Sequence, residues 1–394
     1  MDSKNQTAAM GILLTISAAH FLNDLLQSVI PASLPVLKEA NALTFAEVGL
    51  ITLTVQITSS HLQPFVGAVS DRHPMPEALP CGMLLSGLGL ILLAHAATLP
   101  AILISVALIG CGSAVFHPES SRTAQDVSGG RRGFAQAVFQ VGGNAGSAMG
   151  PIAAALVVIP YGKSSIGWFS LSAALAFLLL VGVAKTYHRA PPEAVKSAAA
   201  ASGSGTAWNV KFIFAILFIL MFSKQVYISS LTNFLTFYVM EKFHVDPVTA
   251  QYALFAFLGA GAAGTLLGGP ITDRFGRRKV IFGSIFGAAP FALLVPYVGF
   301  WGVIALVILV SFVILVSFVI SSAFSAILVC ALDVAPRHTG MVSGVFFGLT
   351  FGLGGAAAAF FGWLADIIGI ENVFLAASFM PLAGIFALAL PKKL

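Results

Sequence analysis

Long apolar runs alternate with short polar breaks along the whole chain. A run needs roughly 20 mostly apolar residues to cross a bilayer as a helix. Twelve runs qualify, at about 9–32, 45–69, 79–97, 100–121, 132–158, 165–186, 209–239, 248–271, 279–298, 301–330, 338–363 and 372–390. Those at 209–239 and 301–330 exceed a straight crossing, so tilt, a bend or a protruding end is expected. The first run contains His20 and Asp24, which argues against a signal peptide, and no cleavage site is evident. The break at 187–208 is different in kind: after Pro191 and Pro192 it turns to Ala, Ser and Gly with little bulk, as a flexible linker does. The pattern therefore predicts an all-α membrane protein of twelve transmembrane helices. Residues 1–186 and 209–394 form two six-helix bundles, tethered by 187–208.

Composition agrees. Hydrophobic residues make up 58% of the chain, charged residues 9%, and the mean hydropathy is +0.95. A soluble domain carries about 25% charge, so this chain cannot cover a water-facing surface. The placement of Lys and Arg sets the expected orientation. Sixteen of the twenty lie on the side of the N terminus; Lys38, Lys163 and Lys242 lie opposite, and Lys224 lies within a run. Both termini are expected in the cytoplasm of a multi-pass inner (plasma) membrane protein. The net charge of +5 is then a topology signal that calls for no nucleic acid. Cys81, Cys111 and Cys330 lie in or near runs without CxxC spacing, as small buried thiols do.

The halves echo each other. Gly67-Ala-Val-Ser-Asp71-Arg72 recurs as Gly269-Pro-Ile-Thr-Asp273-Arg274, followed by Phe-Gly276-Arg277-Arg278. Asp126, Arg131, Arg132 and Gly133 before the fifth run are answered by Asp333, Arg337 and Gly340 before the eleventh. Both echoes fall on the cytoplasmic side, in the same order, as an internal duplication predicts. Gly67 and Gly269 allow two helix ends to approach closely. Asp71 can pair with a cation such as Arg122, or cap a helix N terminus. That makes Gly67, Asp71, Arg72, Arg122, Gly269, Asp273, Arg274 and Arg277 gating candidates; the alternative is that these charges only fix topology.

On these motifs the chain resembles the major facilitator superfamily over essentially its whole length. The first-half loop departs from that pattern, with His73-Pro-Met-Pro-Glu77 in place of Gly-Arg-Arg. The resemblance implies a pseudo-two-fold fold, a cavity lined by spans one, four, seven and ten, and alternating access. Gly142-Gly143-Asn144, Gly146 and Gly150-Pro151 loosely resemble the superfamily's antiporter motif. Phe116-His117-Pro118-Glu119 and Ala19-His20-Phe21-Leu22-Asn23-Asp24 resemble the fosmidomycin resistance branch. That narrower likeness implies a proton-driven exporter of a phosphonate antibiotic.

Ionisable groups inside a membrane are costly and therefore candidates for function. His20, Asn23, Asp24 and Gln27 share one helical face of span one. Asp24 lies near the expected midplane, where an unpaired carboxylate can load and release a proton. His117 can titrate near neutral pH, and Glu119 can either join it or pair locally with Arg122. Proton coupling is thus assigned to Asp24, His20, His117 and Glu119. Asn23, Gln27, Asn144, Lys224, Gln225 and Tyr227 are the substrate candidates, because Lys224 would attract an anion; it is otherwise a countercharge for Asp24. No metal or cofactor is expected: His117 and Glu119 are too close and too isolated for a metal, and no HExxH, GxSxG or phosphate-cradling loop with a lysine is present. The function expected is a proton-coupled antiporter exporting a small anionic drug such as fosmidomycin, as a monomer. Its rivals are an importer of a small organic anion and a non-transporting membrane sensor.

Overall fold

The computed structural model describes residues 3–72, 75, 77–128, 132–186, 210–275, 279, 282, 283, 285–319 and 339–390. Among them every regular element is helical, with no strand. Each of the twelve predicted runs contains helix among the described residues; 320–330 of the tenth lies outside them. Span one is Ser3–Ala40, span three Ala78–His95, span four Leu99–Asp126. Span seven is Val210–Phe243, span eight Pro247–Phe275, span ten Phe300–Val319 and span eleven Thr339–Ile368. The ninth ends in Ala289–Leu294 and Val295–Tyr297. The sixth and twelfth change winding: Lys163–Phe169 is a 3-10 segment before Ser170–Thr186, and Met380–Ala389 is one after Ile370–Ser378. Span seven, at 34 residues, is about 51 Å long at 1.5 Å per residue, longer than a straight crossing of roughly 30 Å. Among the described residues six stretches are long and apolar enough to cross a membrane outright.

Among the described residues two spans contain a widened turn, and proline explains both. Span two runs Phe45–Gln56, loosens into a π turn at Ile57–His61, and resumes as Gln63–Arg72. Pro64 has no N–H for the Ser60 carbonyl four residues back, and its ring crowds that carbonyl. Span five, Arg132–Ala153, widens at Ala154–Val158 just before Pro160, whose carbonyl four residues back is Leu156. Caps set the ends in the loops. Asp246 accepts from Val248 N at 3.0 Å and Thr249 N at 3.1 Å, ahead of Pro247 in the first turn. The Thr249 hydroxyl and these amides hold the Asp246 carboxyl below the usual carboxylate range.

Packing follows the internal duplication. Spans one and five, two and four, and three and six pack in the first half; seven and eleven, eight and ten, and nine and twelve repeat those pairs in the second. The halves meet through spans two and eleven and through five and eight. Exchanging the halves exchanges these two seams, as a pseudo-two-fold axis requires. The core shows where the halves join. One apolar cluster runs continuously from Leu26, Leu34, Val48 and Ile51 to Phe234, Tyr238, Phe257 and Phe361. It lies toward the end where spans one and two meet, the end predicted to face outside. Toward the opposite end each half has its own cluster, with Ile16, Met83 and Phe139 in the first and Ile216 and Leu220 in the second.

Candidate functional site

Spans one and five are pressed together by glycine. A β-carbon on Gly142 would lie 2.7 Å from Ser17 Oγ, and one on Gly146 would lie 2.9 Å from the Phe21 carbonyl carbon. Backbone-to-backbone approach of this kind needs a residue without a side chain. It brings span one's polar face against span five on one side and span four on the other.

His20 and Asn23 are buried on that face, and Asp24 is 19% exposed. His20 Nε2 lies 3.4 Å from Asp24 Oδ2, and His117 Nε2 reaches across from span four to Asp24 Oδ1 at 3.3 Å. Asn23 Nδ2 donates to Oδ1 at 3.0 Å, and the Ser147 hydroxyl on span five donates to Oδ2 at 3.4 Å. Asp24 is therefore bridged by two imidazoles of its own half, where the sequence had suggested Lys224 of the other half as a countercharge. The rings are fixed from behind. His20 stacks on Phe139 at 4.0 Å between centroids, and its Nδ1 faces the Phe139 carbonyl at 2.8 Å. His117 Nδ1 faces the Ser113 carbonyl at 3.0 Å.

These contacts dictate the proton inventory. A carbonyl oxygen can only accept, so these two contacts favour the tautomer with hydrogen on Nδ1; at His117 the Ser113 hydroxyl also lies 3.1 Å from Nδ1. Each Nε2 is then a bare lone pair in the neutral ring, pointed at a carboxylate oxygen. The two Nε2···Oδ contacts become favourable only as protons enter them. The cluster thus offers two proton positions, one at each Nε2···Oδ contact. The donor atoms of His20, Asp24 and His117 all lie within 4.8 Å of one another, so among the described residues these three form the group that could also hold a metal ion. The sequence had weighed a metal only for His117 with Glu119, and this grouping was not foreseen.

Glu119 does not join the carboxylate cluster. It is buried, and its Oε2 accepts from Arg122 Nη1 at 3.2 Å, the local pair that three-residue spacing offers. Gln27 Nε2 reaches the Ile109 carbonyl on span four at 3.5 Å. Asn144 Nδ2 is buried with no hydrogen-bond partner among the described residues. Lys224, Gln225 and Tyr227 are on span seven, in the other half. Lys224 is half-buried, Gln225 packs on Gly354 of span eleven, and Tyr227 is buried within the large apolar cluster. For Gly67, Asp71, Arg72, Gly269, Asp273 and Arg274 the helical backbone is described and the side chains are not; Arg277 lies outside the described residues. The suggested Asp71–Arg122 pair rests on the Asp71 side chain, which is not described either. Sequence reasoning missed Ser113, Gly143 and Ser147. The glycine run of span five was the available signal for the last two, because a smooth face there must bring its neighbours against another helix.

The sequence matches the Major Facilitator Superfamily over residues 16–359 and again over 238–393. It is 47% identical to the fosmidomycin resistance protein of Escherichia coli (strain K12), over 98% of this chain and 94% of that protein. It is 42% identical to the uncharacterized MFS-type transporter YfnC of Bacillus subtilis (strain 168), over 99% and 95%. Among solved structures, a bacterial homolog of the human lysosomal transporter Spinster, inward-facing and occupied, superposes with a TM-score of 0.75 at 16% identity, over 96% of each chain. The nucleoside transporter NupG superposes at 0.72 with 15% identity, over 96% of this chain and 98% of that one.

Proposed function

Because this chain belongs to the Major Facilitator Superfamily, and so is a multi-pass membrane transporter, we propose that it is a proton-coupled antiporter exporting fosmidomycin or a related small anionic drug. The bridged cluster of His20, Asp24 and His117 carries the reading. Its two proton positions are held by three rigidly placed side chains within one half, where rocking of the halves can expose them to either side in turn. Protons load from outside. The substrate anion enters from inside, toward the Lys224 ammonium and the open Nδ2 of Asn144, with Asn23, Gln27 and Gln225 as further polar contacts. Coupling needs proton and substrate to favour different access states. An anion and a proton that share one local charge balance meet that need.

The moving bodies are residues 1–186 and 209–394, tethered by 187–208. The protein works as a monomer in the inner membrane with both termini in the cytoplasm. Glu119 and Arg122 neutralise each other beside the cluster, and the paired Gly-x-x-x-Asp-Arg helix ends, with Gly67, Asp71, Arg72, Gly269, Asp273, Arg274 and the following Arg277, gate the cytoplasmic side.

The test is internal pH in proteoliposomes, with a metal chelator present, when fosmidomycin is added. The parent protein is expected to move protons only with substrate, and Asp24→Asn to lose at least about tenfold of that flux, equivalent to roughly 1.4 kcal/mol. Flux that survives the substitution would move the proton role to His117 and Glu119. Folded protein that moves no protons with fosmidomycin would remove this substrate from the reading.

A further inference from the structure

At the end where spans one and two meet, a carboxylate of one half completes a helix of the other. A helix leaves its first backbone N–H groups without internal acceptors. In the helix Phe45–Gln56 a capping box handles two of them: Glu47 N donates to Thr44 Oγ1 at 3.1 Å, and Thr44 N donates to Glu47 Oε2 at 2.8 Å. The amides of Phe45 and Ala46 remain, and they donate to Asp366 Oδ1 and Oδ2 of span eleven, each at 2.8 Å. The negative charge also meets the positive end of the helix dipole.

Asp366 stands at the rim of a closely packed seam. A β-carbon on Gly49 would come 2.7 Å from Ala359 Cα, so spans two and eleven touch backbone to backbone there. Phe45 meets Phe237 edge to face at 5.2 Å under the Lys38 ammonium. Deeper in, Thr52 Oγ1 donates to Asn233 Oδ1 and Gln251 Nε2 to the Ala32 carbonyl, both at 2.7 Å and both across the halves.

We propose that Asp366 is the latch of the outer gate. It caps span two only while this seam is closed, and it lets go when the halves rock apart on this side. Asp366 is exposed, so water takes over its oxygens and the two freed amides at once. The latch is therefore strong enough to bias the closed state and weak enough to open in every cycle. The inference rests on rocking of the halves, and is independent of which substrate or ion is carried.

The experiment is thiol labelling from outside intact cells with a membrane-impermeant reagent. In the full chain, Cys81, Cys111 and Cys330 are first replaced by serine. Ser229→Cys reports the seam, because Ser229 is 7% exposed, donates to the Gly354 carbonyl of span eleven at 2.7 Å, and sits 3.3 Å from Nδ2 of Asn233, the residue that Thr52 of the first half contacts. Ser105→Cys, inside the first half, reports general loosening; Ser105 is 1% exposed. Asp366→Ala is expected to speed labelling at position 229 about fivefold, the scale of a lost cap, and to leave position 105 unchanged. Asp366→Asn, which keeps one acceptor and loses the charge, is expected to fall between. Unchanged labelling at 229 overturns the proposal. Acceleration at both positions also overturns it, since Asp366 would then only support the fold.

Discussion

A single methyl group can probe how tightly the bridged carboxylate is held. A β-carbon on Gly143 would stand 2.8 Å from Asp24 Oδ2 and closer still to the His20 ring. Gly143→Ala must therefore push span five away or turn the imidazole off its carbonyl. Overpacking of this kind costs about 1–3 kcal/mol. The expected outcome is a lowered unfolding temperature in detergent and proton flux reduced at least as far as in Asp24→Asn; thermal scans and the proteoliposome assay check it. A variant with parental stability and flux would show that the cluster tolerates displacement. The spacing of His20 and Asp24 put them on one helical face, and that part of the site was legible in the sequence. His117 and Ser147 were not legible as partners of Asp24. Their approach depends on how spans four and five cross span one, and one helix's periodicity carries no record of the crossing.

At the scale of the helix, the seam between spans two and eleven invites a different perturbation. Gly49→Leu would place a branched side chain against the backbone of Ala358 and Ala359. With no lipid to yield at that point, the helices must separate. Nitroxides at the exposed outer ends of spans one and seven, on Glu39 and Glu241, would report this by double electron–electron resonance. A longer-distance population is expected to grow in Gly49→Leu at the expense of the parental one; an unchanged distribution would mean that the seam repacks locally. The described parts of the apolar runs are helical because an apolar segment in lipid must satisfy its own backbone, and a helix does so within the segment. The widened turns at Ile57–His61 and Ala154–Val158 were hidden. Pro64 and Pro160 marked the neighbourhood, but a proline can kink a helix, end it or widen the turn before it, and the surrounding helices decide which.

For the whole molecule, the linker and the repeated loops announced two halves, whereas the side on which they are joined could be read only from packed side chains. The apolar cluster that unites the halves sits at one end, with a separate cluster in each half toward the other. Under the proposed rocking of the halves, opening this end brings the continuous oily mass into contact with water and buries other surface at the far end in return. Apolar hydration carries a large heat capacity and apolar burial weakens on cooling. If the outer seam is the oilier of the two, cooling will raise the outward-open fraction, and a van't Hoff plot of the two resonance populations will curve. A straight plot would mean that the two seams bury equal apolar area. The cold would then be a gating stimulus with no ligand at all, and the temperature of the surrounding membrane would help set the transporter's resting orientation.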